Sequence, residues 1–338
     1  MMRTVKPISR PLTLVCLLFT AISLDLPAEE GARRLKFLNY PDCIELSNKA
    51  GTVTILGHHV GGRVLSYRQD GKESLYLNPS EAKWTPKNGK KSSSAGRFDI
   101  GPEYLIPKRA ALWSGQWTAK ITGPRSARLT SKPAADAGIR LIRDFVLAEN
   151  SSHLACTQTM VNTSGQTRRW CHWGRMFAIH GGIGVVPLSP AHRRFPKGYI
   201  MMRGSDEMLI LPEDPNVRQR GNFLEILAPP KEPKLGFDSF AGWFAYQMPN
   251  DLVFIKTYKT YPGRLYGEIA GLTLSIWYPK RDWVPACELE PIGPMEILQP
   301  GQKASFTENW HLLPNPFPEK GSSLDLSTLA KKVAPLLP

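Results

Sequence analysis

The chain lacks the features that would place it in several common classes. No stretch of its body approaches 18 consecutive apolar residues, so no membrane-spanning helix is expected there. Cysteine occurs only five times in 338 residues, and no pair stands at metal-site spacing. Serine-hydrolase, P-loop, dinucleotide and zinc patterns are missing, and Gly181-Gly-Ile-Gly184 lacks the strand–turn–helix context of a phosphate cradle. No metal or other cofactor is expected. Acidic residues are the minority, 29 against 43 basic ones, for a formal net charge of +14. Such a charge attracts polyanions. Yet the basic residues are scattered outside Lys83–Arg97 and no nucleic-acid motif is present, so no nucleic-acid partner is expected. An acidic glycan, a negative envelope surface or plain solubility accounts for the charge.

The N-terminus differs from the body. Arg3, Lys6 and Arg10 precede an apolar run from Pro11 to Leu24, and Ala28 offers a small residue for cleavage. This order describes a secretory signal peptide over 1–28, with cleavage near Ala28 or Ser23, and predicts a periplasmic or secreted protein. Cys16 follows Val15 inside the apolar run, where a lipoprotein signal would carry a small residue. Cys43, Cys156, Cys171 and Cys287 survive such a cut. An exported protein permits disulfides among them without requiring any. Cys156 and Cys171 lie equally far from Thr163-Ser164, so a simple hairpin would set them opposite each other. A strained disulfide and buried free thiols both fit that spacing.

What the chain does have is turn chemistry: 28 glycines and 30 prolines separate short apolar-alternating runs. Strands are expected at Ile44–Leu46, Thr52–Leu56, Val64–Arg68 and Leu75–Leu77. Further runs fall between Gln116 and Leu312, among them Ile139–Leu147, Ser152–Val161, Arg168–Ala178 and Ala286–Ile292. Only Leu324–Leu336, beyond the Asn315-Pro-Phe-Pro318 breaker, reads as helix. Lys83–Arg97 reads as a basic loop too polar for a core. No repeat or linker divides the chain, so 29–338 is expected to form one all-β sandwich domain with a short C-terminal helix.

Three segments carry candidate chemistry besides Gly61-Gly62-Arg63, which reads either as a ligand rim or as a bulge with a solvated arginine. In Arg169-Trp-Cys-His-Trp-Gly-Arg175, alternation puts Trp170 and His172 on one face, a sugar platform beside a general acid or a satisfied, packed histidine. His180 is a second histidine candidate. In Cys287-Glu-Leu-Glu-Pro291, Glu288 and Glu290 share one face, where like charges repel unless one is functional or paired. In Gly96–Glu103, Asp99 and Glu103 are placed to orient hydroxyls, with Trp113 and Trp117 close in sequence. A turn with an Asx hydrogen bond is the competing reading there.

Several segments together resemble a known family: IELSN, GGRVLSY, DGKE and LYLNP near the start, GIRLIRDFVLAENSSHLACTQTMVNTSGQ, LVFIKTY, and CELEPIGPMEILQPGQKASFTENWHLLP. In order and spacing they are similar to a bacterial family of unknown function within the galactose mutarotase-like superfamily. The resemblance covers most of residues 40–313. It implies a β-supersandwich, a carbohydrate ligand, and either an aldose 1-epimerase-like isomerase or a non-catalytic envelope module. Carried over to this chain, it implies His172 as acid and Glu290 as base, with Arg63 and Asp99 holding sugar hydroxyls. The epimerases' asparagine–arginine motif and second histidine are not recognisable around Gly96–Glu103.

Overall fold

The computed structural model describes residues 31–88, 94–204, 207–279 and 284–337. The expected signal peptide therefore lies outside the described residues. Two antiparallel sheets, of thirteen and ten strands, stack face to face. Across the centre of the larger sheet run Arg63–Gln69, Gly96–Gly101, Arg168–Ile179, Ala286–Pro291, Leu274–Trp277 and Lys234–Phe237, each bonded to the next. The centre of the smaller sheet holds Trp243–Gln247, Leu252–Tyr258, Lys303–Pro314, Leu154–Asn162 and Ile139–Leu147.

Alternation along these strands sends every second residue between the sheets. On Arg168–Ile179 the inward set includes Trp170, Met176 and Ala178, which join the main core with Leu141, Phe145, Phe254, Leu289 and Trp310. The outward set, Cys171 and Trp173, joins a separate cluster with Ile200, Leu272 and Ile292. Chemistry on this sheet thus depends on which face a residue occupies. The helix Leu326–Val333, capped by Asp325 accepting from the Thr328 amide at 3.0 Å, covers the outer face of the smaller sheet. Its Leu326, Leu329 and Val333 pack on Val185, Trp243 and Val253. The expected C-terminal helix is present, one turn shorter and finished by the 3-10 turn Ala334–Leu336.

Three expectations are corrected. Gly96–Gly101 is a central strand rather than the end of a polar loop, and Ser94, Ala95 and Arg97 are buried. A side chain at Gly96 would meet Val64 and the Trp310 ring, each 2.8 Å away, so glycine there lets the sheets close. Leu75 makes only an isolated bridge to Ala178, not a strand. Leu154–Asn162 and Arg168–Ile179 belong to different sheets, so no hairpin sets Cys156 against Cys171. All four described cysteines are free and buried. Among the described residues no helix is long and apolar enough to cross a membrane.

The glycine pair is structural. Gly61 and Gly62 have φ of +77° and +50°, and Cβ atoms there would collide with the Trp113 carbonyl and the Trp117 ring. Arg143 donates to the Gly61 carbonyl at 2.6 Å and also to that of Gly62. Gly61→Ala is expected to lose at least ~2 kcal/mol in urea denaturation, from left-handed strain plus the collision. Gly71→Ala has a similar φ of +77° but open space around its Cβ, and should lose only the strain. Equal losses would contradict the role given to the collision.

Candidate functional site

Between the sheets a chain of polar groups links both layers. His172 Nε2 lies 2.7 Å from Glu308 Oε1, and Lys256 Nζ lies 2.8 Å from Glu308 Oε2. Trp310 Nε1 donates to that same oxygen at 2.9 Å. On the other side of the ring, Gln158 Nε2 sits 3.1 Å from His172 Nδ1 while Gln158 Oε1 accepts from Arg143 at 2.8 Å. An amide nitrogen only donates, so Nδ1 accepts and the imidazole proton sits on Nε2, aimed at Glu308. Gly174 leaves the room this carboxylate needs, because a side chain there would strike Glu308. Burial lowers the His172 pKa against the pull of Glu308 and keeps the ring neutral. Burial would raise the Glu308 carboxyl, but Lys256 and His172 outweigh it and hold it at about 2. Burial also lowers Lys256, against Glu308.

The pH consequence follows from the signs. Glu308 is depressed below a free glutamate, so its contribution is full above about pH 4.3 and is lost as pH falls toward about 2. His172, neutral in the fold, adds to the same acid limb, because the unfolded ring binds a proton below about pH 6.5. Urea midpoints should therefore fall as pH drops from neutrality to about 3. In His172→Gln the part of that loss above about pH 5 should shrink. An unchanged profile would remove His172 from this account.

The outer face of the larger sheet carries the second cluster. Glu288 and Glu290 project there from Ala286–Pro291 and are fully buried. Glu288 Oε1 accepts from Arg175 Nε at 3.0 Å, and Glu290 Oε2 accepts from Trp173 Nε1 at 3.1 Å. No donor from another residue reaches the remaining oxygens, Glu288 Oε2 and Glu290 Oε1; the hydrogen bond open to them is the one between the two carboxyls, with a proton on Glu288. Burial pushes Glu288 well above the usual carboxylate range; Arg175 opposes this and Glu290 adds to it. The strand partner of Arg175 is Arg97, and the Trp113 ring lies beside both, 4.4 Å from the Arg97 guanidinium and 5.5 Å from that of Arg175. Arg97 is buried with Nε and Nη2 unpartnered, and burial drives its pKa well below normal. A cavity of about 300 Å³ on this face is lined by Glu103, Arg175, Lys234 and Trp277; neither Glu288 nor Glu290 reaches its wall, and Arg175 links the cavity to Glu288. Lys234 reaches Glu103 at 2.6 Å.

The residues singled out from sequence are divided by this geometry. Asp99, Glu288 and Glu290 come to the outer face; Asp99 is locked there by a bidentate bridge to Arg109, 2.6 Å at its shortest. Arg63 reaches the same face of the sheet but is spent: Glu81 takes its guanidinium at 2.6 and 2.7 Å, beneath Tyr40, so it is neither a rim nor a solvated arginine. Trp170 and His172 do share a face, and it is the interior one; Trp170 donates to the Ala137 carbonyl. His172 and Glu290 therefore stand on opposite faces of one sheet and are not brought together. The alternation of their strands decides this, since Cys171 and Trp173 flank His172 and take the outer face. His180 lies past the end of the strand, half-buried. Sequence reasoning gave no role to Arg109, Lys234 or Trp277, which stand in loops or short strands without a distinctive pattern. Lys256 carried a legible signal, a lone charge in the apolar run Leu252–Tyr258; Glu308, between Thr307 and Asn309, carried none.

Solved structures share this architecture. A galactose mutarotase-like protein from Lactobacillus casei superposes with a TM-score of 0.57 at 11% identity, covering 80% of this chain and 100% of its own. A galactose mutarotase-like protein from Clostridium acetobutylicum gives 0.55 at 11%, covering 84% and 98%. A candidate aldose 1-epimerase from Escherichia coli K12 gives 0.55 at 12%, covering 80% and 99%. The chain has the galactose mutarotase-like fold. No protein-family model and no curated protein matches the sequence. Within the galactose mutarotase-like sandwich of this chain, the outer face of the larger sheet holds the cavity, the paired carboxyls and the arginines, and the interior holds His172. Among the described residues, no group of three or more His, Cys, Asp or Glu is placed to hold a metal.

Proposed function

We propose that the outer face of the larger sheet binds an aldose and exchanges its anomers, with Glu288 and Glu290 as the proton-transfer pair. The observation carrying this is the pair of adjacent, fully buried carboxyls on one strand face, joined through Arg175 to a cavity of about 300 Å³. Adjacent buried carboxyls cost free energy and cluster where chemistry needs them. Glu290 Oε1 would take the proton of the anomeric hydroxyl while protonated Glu288 gives one to the ring oxygen. The bond from the anomeric carbon to the ring oxygen then breaks and the carbonyl forms. Rotation and the reverse transfers re-close the ring on the other side. Trp277 in the cavity wall offers an apolar face to sugar C–H groups.

Arg175 and Lys234 at the mouth favour an aldose that carries a carboxylate, in keeping with the basic composition and an acidic-glycan partner. The N-terminal basic–apolar–small pattern supports a periplasmic or secreted setting for this activity. A second reading, a sugar-binding module without catalysis, is favoured by one observation: Arg175 bonds Glu288 and lies between the Trp113 and Trp173 rings. Exchange NMR on glucose, galactose and glucuronate separates the two. Saturation transfer with faster anomer exchange supports catalysis, and saturation transfer without it supports the module. No saturation transfer to any of these aldoses overturns both.

A further inference from the structure

A larger cavity lies elsewhere, over the strands that open the described chain. It measures about 770 Å³, and its walls include Asn39, Asp42, His58, His59, Trp84 and Gln116. None of its lining residues belongs to the carboxyl cluster. His58 and His59 follow Thr52–Gly57 in the turn that leads to Gly61-Gly62. That turn is pinned from below, by Arg143 on the glycine carbonyls and by Gly61 donating to the Gly115 carbonyl at 2.9 Å. The imidazoles are therefore fixed on a rigid base.

The aromatic groups form one cluster. His58 and His59 have ring centroids 4.0 Å apart, His59 and Trp84 stand edge to face at 5.1 Å, and Tyr40 lies 4.7 Å from Trp84. Each histidine is only 8% exposed, and His58 Nδ1, His59 Nδ1 and Trp84 Nε1 all lack a hydrogen-bond partner. His59 hydrogen-bonds the Pro41 carbonyl. With Nδ1 unpartnered, Nε2 is the donor, so Nδ1 presents its lone pair. Burial holds His59 at about 4 and lowers His58, which keeps both rings neutral at physiological pH. Just behind the wall lie two imidazole nitrogens and one indole N–H, three buried polar atoms with nothing to bond.

The ligand class follows by comparison. An apolar ligand would leave all three groups unpaired, at about 1–3 kcal/mol each. An anion would find no lysine or arginine among the described residues of the wall and would face Asp42, whose carboxylate already holds Arg34 at 2.5 Å. A metal ion would have two imidazoles but no cluster of three ligand groups among the described residues. A neutral sugar satisfies every requirement. Its hydroxyls both donate and accept, and its C–H faces stack on an indole such as Trp84. We infer that the His58–His59–Trp84 cavity is a second binding site, for a neutral saccharide, separate from the carboxyl face and independent of any catalysis there.

Methyl glycosides make the test clean, since a blocked anomeric centre cannot undergo exchange at the carboxyls. Saturation-transfer NMR is run with the methyl β-glycosides of glucose, galactose and mannose on the full chain, Glu290→Gln, His59→Ala and Trp84→Ala, with thermal melts to confirm folding. At least one glycoside should bind the wild type and bind at least tenfold more weakly to His59→Ala and Trp84→Ala; binding lost in Glu290→Gln and kept in those two would assign the glycoside to the carboxyl face and overturn the proposal. Imidazole ¹⁵N shifts of the intact protein should move at His59 Nδ1 on titration, a readout that needs no variant. Absence of binding by all three glycosides overturns the proposal. So does binding that survives both substitutions, or a His59-dependent response to sulfate in place of sugar.

Discussion

Glu308→Gln is expected to lose about 3–5 kcal/mol in urea denaturation, because it strips a fully buried Lys256 of its counter-charge. Shape is nearly kept, but a neutral amide has one acceptor oxygen for the donors of His172, Lys256 and Trp310, so a donor-to-donor contact adds to the electrostatic loss. Lys256→Met paired with Glu308→Leu removes both charges and should lie closer to wild type than Glu308→Gln alone. That ordering is the signature of an unpaired buried charge, since a plain loss of packing would make the double variant worse. Trp310 and His172, whose N–H groups would then lose their acceptor, set the residual cost of the double variant. If Glu308→Gln proves as stable as wild type, the inter-sheet network is not holding the layers together in the way described.

On the outer face, Glu290→Gln is expected to reduce anomer exchange by about 10²–10⁴-fold, the range ordinarily supplied by a positioned acid or base. Its fold should persist, because an amide oxygen still accepts from Trp173. Glu288→Gln should likewise lose exchange, yet its stability should stay within about 1 kcal/mol of wild type. The reason is that a protonated glutamic acid and a glutamine are near neighbours in shape and charge, and burial already favours the protonated form of Glu288. Stability and exchange are therefore predicted to separate: Glu308→Gln strikes the fold, and Glu288→Gln strikes the chemistry. Full exchange in Glu290→Gln would assign any anomer turnover to other groups.

The fold was legible where strands alternate and turns announce themselves. Ile139–Leu147 and the helix after Asn315-Pro-Phe-Pro318 were readable from local pattern alone. Gly96–Gly101 was not, because a buried arginine and aspartate on a central strand look like loop residues until Trp113 and Arg109 cover them. At the site, Glu288 and Glu290 were readable as a same-face pair because a two-residue spacing on a strand fixes the face. Which face that is depends on the partner layer, and a single sequence does not supply it. His172 illustrates the gap: a histidine among tryptophans suggests a sugar platform, but its partner Glu308 comes from a strand far off in the chain, and Gln158, though on the preceding strand, belongs to the other sheet. Arg63 failed for the same reason, since its partner Glu81 sits in a short turn with no signature of its own.

The central claim is that Glu288 carries a proton beside Glu290 at neutral pH, ready to be given to a bound sugar. Infrared spectroscopy of the protonated carboxyl C=O stretch tests it most directly. The account predicts such a band at pH 7, absent from Glu288→Gln, and shifted when a binding aldose is added. A wild-type spectrum without that band at pH 7, or one identical to that of Glu288→Gln, would contradict it.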